Sequence, residues 1–185
     1  MPILGILASS ITGGLVTDAG AMFPIRSYVV PSGGVASVTF SSIPSTYSHL
    51  QIRMLTQLSG GNGEIDLQFN SDTGSNYSHH RIYGNGSSAV AEAGVSTTQA
   101  TVGYYSSATS VFNGAVVDIL DYANTNKYKT IRSLNGMDTN GGGLVLFDSS
   151  SWRSTSAISS ITVFSKDGSR PLAQYSSFAL FGVKA

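Results

Sequence analysis

The sequence predicts an all-β protein, an antiparallel, jelly-roll-like β-sandwich with an extended N-terminal arm. Apolar residues recur at every second position, as at Ile65, Leu67 and Phe69, which is the period of a strand with one buried face. Clusters of Gly, Asn, Ser and Pro separate these runs, as turns between strands require. No segment has the apolar period of a convincing amphipathic helix. Many short strands joined by turns are typical of sandwiches and jelly rolls.

The alternation places about ten strands along the chain. They are predicted over residues 36–40, 49–54, 64–70, 78–83, 100–105, 111–122, 128–134, 144–147, 158–164 and 177–183. Turn chemistry lies between them, at residues 31–34, 60–63, 84–86, 140–143 and 166–168. Residues 89–94 are expected to form one helical turn at most. The chain is therefore predicted to form one domain over residues 25–185, without an internal repeat or a Pro-rich linker.

Residues 1–24 differ from the rest because they lack clear alternation and contain four interrupting glycines before Pro24. Two interpretations remain open: a loosely packed terminus, or an extended arm that packs on a neighbouring subunit. The arm is favoured because its apolar side chains would be a liability in a solvated tail. The candidate contact residues are Ile3, Leu4, Ile6, Leu7 and Ile11.

The composition excludes several classes of function. Only 11% of residues are charged, and 10 basic residues balance 10 acidic ones. Without a basic excess, electrostatic binding of nucleic acid is not expected. The absence of Cys excludes disulfides and thiolate metal sites. No apolar run is long enough to span a membrane, and no basic residue precedes the apolar stretch at 3–8, so a cleaved signal is not expected.

Glu64 and Asp66 are the strongest acid pair, because residues two apart on a strand share a face. Paired carboxylates at a suitable separation can hydrolyse glycosides. No other residues of a sugar cleft accompany them, so a solvated outer face is the favoured interpretation. No nucleophile elbow or phosphate-binding loop is present either. The sequence therefore predicts that the protein is not an enzyme and holds no cofactor.

The histidines and the acidic loops do not predict a metal site. His79 and His80 are adjacent on a strand and point to opposite sides, so they cannot easily bind one ion. His49 lies on the polar side of its own strand. Residues 70–76 and 121–126 contain too few carboxylates for calcium, and turns built on Asx side chains explain them better.

Tyr104, Tyr105 and Trp152 fall near predicted strand ends, where aromatic rings can stack on sugars. Sandwich proteins also bury aromatic residues in the core or use them as interface anchors. These three residues are therefore candidates for glycan or interface contacts.

Several stretches resemble small structural proteins of tailed bacteriophages, over roughly residues 26–185. They are YVVPSGG (28–34), VTFSSIP (38–44), YSHLQIR (47–53), FNSDTGSNY (69–77), YGNG (83–86), DILDYAN (118–124) and YSSFALFGV (175–183). These are strand and turn signatures, and no catalytic residue is carried over with them.

The resemblance implies a virion protein, similar to capsid decoration (cement) proteins and to terminal domains of tail fibres. We expect a decoration protein that binds the major capsid protein on the capsid exterior, as a homotrimer assembled in the host cytoplasm. The alternative is a tail-fibre or receptor-binding component that contacts host surface glycans.

Overall fold

The computed structural model describes residues 21–105, 110–166, 168 and 170–184. Within these ranges the chain forms twelve strands and no helix, so nothing helical there has the length and hydropathy needed to cross a bilayer. The strands are β1 (Met22–Val29), β2 (Ser37–Phe40), β3 (His49–Thr56), β4 (Gly63–Phe69), β5 (Tyr77–Gly84), β6 (Ala89–Thr97), β7 (Ala100–Tyr105), β8 (Asn113–Leu120), β9 (Lys129–Asp138), β10 (Gly143–Trp152), β11 (Ile161–Ser165) and β12 (Ser177–Val183).

The strands form two antiparallel sheets that pack as a sandwich, as the sequence predicted. One sheet has eight strands in the order β1-β12-β3-β8-β9-β10-β5-β6, and the other has four in the order β2-β11-β4-β7. The apolar core lies between them, because the alternating residues of facing strands point inward. In β3, for example, Leu50, Ile52 and Met54 are buried while the residues between them are more exposed.

Two strands of the structure were not predicted. β1 extends across the expected boundary at residue 24, and β6 replaces the single helical turn expected at 89–94. Both lie at the edges of the eight-stranded sheet, where each pairs with one neighbour only. Edge strands bury little side-chain surface, so their sequences need no strong alternation and backbone pairing decides their conformation.

The prediction that Asx side chains build the turns is confirmed. Asp72 Oδ1 accepts a hydrogen bond from the Gly74 amide at 2.9 Å, and Asn124 Oδ1 accepts one from Asn126 at 2.8 Å. Such bonds replace backbone partners within a tight turn. The Asp72 turn is also tied to the core, because Trp152 Nε1 donates to Asp72 Oδ2 at 2.7 Å.

The expected arm residues Ile3, Leu4, Ile6, Leu7 and Ile11 lie outside the described residues. The described chain enters the fold at β1, which pairs with β12 from Met22 onward. Any contact made by residues 1–20 therefore remains a prediction.

Candidate functional site

The eight-stranded sheet carries exposed apolar side chains on its outer face, where a solvated sheet normally presents polar ones. One row of neighbours runs across four strands, Val116 to Leu134 to Phe147 to Ile82. In the adjacent row, Leu55 pairs with Gly114 and Val145 with Gly136. We call Leu55, Ile82, Val116, Leu134, Val145 and Phe147 the apolar outer face; their exposures run from 38% to 63%. Contiguous apolar surface of this kind marks interaction sites.

Two glycines make this face concave. Gly114 and Gly136 are direct neighbours on β8 and β9, and they form the floor of a groove of about 500 Å³ between Val116, Leu134 and Val145. A Cβ at Gly136 would lie 2.9 Å from the Leu144 carbonyl oxygen, so this position requires glycine. At Gly114 the nearest atom would be Leu55 Cδ2 at 3.9 Å, which leaves open space above the strand. The groove can therefore receive a side chain from a partner.

A row of polar and charged side chains borders the apolar outer face. Gln51, Asp118 and Arg132 are neighbours on β3, β8 and β9, and the row continues to Ser149 and His80. Gln51 Nε2 donates to Asp118 Oδ1 at 2.8 Å. The apolar outer face thus has a defined border along this row.

Beneath part of the apolar outer face, next to Ile82 and Phe147, the interior contains buried charges. Arg81 of β5 lies directly between Asp148 of β10 and Glu92 of β6 in the sheet register. Its Nε is 3.1 Å from Asp148 Oδ1, and its Nη1 is 3.7 Å from Glu92 Oε2. Nη1 also donates to Glu64, which reaches across from β4 in the other sheet and binds Lys166 as well. This network, which we call the Arg81 cluster, joins the two sheets by charge.

Burial and pairing act in opposite directions on the carboxyl groups of this cluster. Desolvation raises the pKa of Asp148 to about 7, although the charge of Arg81 opposes the rise. Burial also raises the pKa of Glu64, but hydrogen bonds from Arg81 and Lys166 outweigh it and the pKa lies below its ordinary value. Glu64 is therefore ionised at neutral pH, while Asp148 is partly protonated.

The expectation that Glu64 and Asp66 lie on a solvated outer face was wrong. Asp66 is completely buried, and the Glu64 side chain is only 16% exposed. The β6–β7 connection and Lys166 line the space of about 270 Å³ beside Asp66, so this end of β4 is covered. Burial raises the pKa of Asp66 to about 6, against the effect of Thr101 and Gln99.

The histidines lie as their spacing predicted, on opposite sides of β5. His80 is exposed, whereas the imidazole of His79 is partly buried over Gly94, where a Cβ would lie 2.4 Å from His79 Cε1. Burial lowers the pKa of His79, and the charge of Arg81 lowers it further, so the ring is neutral at pH 7. Among the described residues, no three His, Asp or Glu side chains are grouped to hold a metal ion.

The three aromatic candidates have different positions. Trp152 is 2% exposed and packs on Phe69 and Tyr77, so its ring is not available as an exposed platform, contrary to expectation. Tyr104 is half-buried beside the Arg81 cluster and lines a pocket with Glu64. Tyr105 ends β7, but its side chain lies outside the described part of the chain.

Sequence reasoning missed both the apolar outer face and the Arg81 cluster. The only local signal is in β5 and β10, where a charged residue stands next to an apolar one: Arg81 before Ile82, and Phe147 before Asp148. A charge and a large apolar residue on opposite faces of a strand would ordinarily place the charge outward. Here the charge faces inward, because Glu64 of the facing sheet supplies a partner.

Comparisons with protein families, with curated proteins and with solved structures each gave no match to this chain.

Proposed function

We propose that this chain is a structural virion protein of a tailed phage, namely a capsid decoration protein that binds the outer surface of the shell. The observation that supports this proposal is the apolar outer face, a concave apolar surface on a domain with a formal net charge of +0. Low charge removes a barrier to association, and the apolar surface provides the driving force.

The strand order supports the jelly-roll part of the proposal. A jelly roll divides eight successive strands between two four-stranded sheets in a double Greek key. Here β3, β8, β5 and β6 belong to one sheet, and β2, β11, β4 and β7 form the other. The β9–β10 hairpin is inserted between β8 and β5, and β1 and β12 extend the opposite edge. The inserted hairpin supplies Leu134, Val145 and Phe147 of the apolar outer face.

The free energies of burial and of association favour binding through many weak contacts over binding through one strong contact. An apolar patch of about 400 Å² contributes about 10 kcal/mol when buried, at about 25 cal/mol per Å². Association costs about 4–15 kcal/mol, so one patch alone gives weak binding. A homotrimer with three patches, or an arm formed by residues 1–20, would raise the avidity. This is the reason to propose self-association together with binding to the major capsid protein.

Co-sedimentation with capsids that lack this protein tests the proposal. We expect Leu134→Ser to reduce binding at least about tenfold, because it removes an apolar contact at the centre of the face. Tyr128→Ser is the matched control, since Tyr128 has the same 57% exposure but lies outside the face. Equal binding of both variants would contradict the use of this face.

A deletion of residues 1–20 tests the arm separately, because it leaves β1 and its pairing with β12 complete. We expect a folded domain that no longer sediments with capsids. Electron microscopy of intact particles, together with copy number from mass spectrometry, locates the chain. A few copies at the tail would favour the receptor-binding alternative, and hundreds on the head would support decoration.

A further inference from the structure

A second candidate site lies on the interior side of the same strands, beside the Arg81 cluster. This pocket has a volume of about 370 Å³ and is lined by Glu64, Arg81, Tyr83, Glu92, Tyr104 and Leu144, among others. The residues come from β4, β5, β6, β7 and β10, so the sandwich itself fixes their positions. A volume of this order lies within the range of small-molecule sites.

Arg81, one of the residues that line the pocket, is held almost completely buried. Its side chain is 4% exposed, and its Nη2 has no hydrogen-bond partner among the described residues. A buried N–H left unpaired costs about 1–3 kcal/mol, so the fold accepts a loss of stability to keep the guanidinium beside this pocket. The opposite side of the same guanidinium is occupied, because Nη1 contacts both Glu64 and Glu92.

The charges around the pocket select a neutral ligand. Glu64, Glu92 and Asp148 surround Arg81, and Lys166 binds Glu64. An anion would meet the carboxylates of Glu64 and Glu92, and a compact cation would meet the positive charge of Arg81, which also lines the pocket. A neutral ligand with hydroxyl groups can donate hydrogen bonds to the two carboxylates.

The remaining walls are aromatic and aliphatic. Tyr83 and Tyr104 are half-buried with part of each ring accessible, and Leu144 and Leu146 complete the lining. The Tyr83 hydroxyl donates to Glu92 Oε1 at 3.3 Å, which orients both side chains. Aromatic rings with an apolar body and a polar tip suit a ligand that has both a C–H face and hydroxyl groups.

From this combination we infer that the pocket binds a neutral saccharide, with a tyrosine against the sugar ring and with Glu64 and Glu92, which Arg81 holds in place, on its hydroxyls. The inference goes beyond the proposed shell-binding role, because it uses the interior side of β5 and β10 and not their outer face. Either surface can function when the other is altered.

Saturation-transfer NMR of the full chain with D-glucose, D-galactose, D-mannose and N-acetyl-D-glucosamine tests the inference. We expect at least one of these sugars to bind with a Kd of about 1 mM or tighter, the range in which a single-ring ligand is detected. Tyr104→Ala and Glu92→Gln should each weaken that binding about tenfold or more. Glu92 is half-exposed, so its isosteric variant keeps the fold even if Tyr104→Ala does not.

Tyr128→Ala serves as the control, because Tyr128 is exposed and does not line the pocket. Absence of binding to all four sugars would overturn the inference. Binding that is equal in wild type, Glu92→Gln and Tyr128→Ala would overturn it as well, because the sugar would then lie elsewhere. Tighter binding of tetramethylammonium than of any sugar would identify a cation site instead. Capsid co-sedimentation of Glu92→Gln should equal that of wild type, which separates this test from that of the proposed function.

Discussion

The eight-stranded sheet has two halves that follow opposite rules. In β12, β3 and β8 the core-facing residues are uncharged, such as Leu180, Ile52 and Val117, although Leu55 and Val116 of these strands lie on the outer face. In β9, β10 and β5 the polarity is reversed over part of each strand: Leu134 and Phe147 face outward, while Arg81 and Asp148 are buried. We call these the conventional half and the inverted half.

The comparison shows where this molecule departs from a self-sufficient sandwich. A domain that functions alone gains nothing from exposing large side chains while burying charges, since both arrangements lower its stability. In the inverted half the Arg81 cluster satisfies most of the buried charge, and the apolar outer face remains available for a partner. Most of the apolar outer face lies on this half, and the second candidate site uses the interior side of its strands β5 and β10.

Arg81→Met should have the largest effect on the inverted half, because it leaves Asp148 buried without a cation and leaves Glu64 paired with Lys166 alone. Breaking a buried ion network in this way costs about 3–5 kcal/mol. The free energy of unfolding in urea measures it. Arg132→Met is the control on the neighbouring strand β9, where Arg132 is exposed, and it should change stability by less than about 0.5 kcal/mol. Similar losses for both variants would show that the cluster does not hold the two sheets together.

The pH dependence of stability gives the next largest effect. Asp66 has a pKa raised from 3.8 to about 6, so between these values the folded state holds a proton that the unfolded state has released. Stability contributed by this proton is complete below pH 3.8 and is lost as pH rises through about 6, by up to about 3 kcal/mol. Asp148, with its pKa of about 7, acts in the same direction.

Asp66→Asn keeps a neutral side chain at every pH and should remove the Asp66 part of this decline. Thermal melts between pH 4 and 8 measure the slope for wild type and variant. Asp118→Asn, on the polar row of the outer face, should leave the slope close to that of wild type. A slope that Asp66→Asn does not change would mean that Asp66 is solvated in solution.

The smallest effect on stability is expected for Leu134→Ser, even though it replaces a large apolar residue in the middle of a strand. Leu134 is 57% exposed, so the change should alter the free energy of unfolding by no more than about 0.5 kcal/mol. Ile52→Ala in the conventional half, where Ile52 is fully buried, should cost about 2–5 kcal/mol. A comparable loss in both variants would contradict the inversion.

Most of the fold could be predicted from the sequence, but the Arg81 cluster could not. Two of the predicted strands, Ala100–Tyr105 and Ser177–Val183, have the same bounds in the structure, because their apolar residues continue to both ends. The Asx turn at Asp72 also followed from local chemistry alone. The site could not be predicted, because Arg81, Asp148 and Glu64 lie far apart in sequence and meet only across two sheets.

By itself the sequence determined most of the elements: a two-residue apolar period predicts a strand, and clusters of Gly, Asn, Ser and Pro predict the turns between strands. It did not determine which side of each strand faces inward, since a two-residue period always has two phases. In β10 one phase holds Val145, Phe147 and Ser149, and the other holds Leu146, Asp148 and Trp152, so hydrophobicity alone does not choose between them. The tertiary structure decides which phase is buried, because Trp152 packs on Phe69 and Tyr77 in the core. Every second residue before Trp152 on the strand then faces the interior as well, and Asp148 is buried beside Arg81.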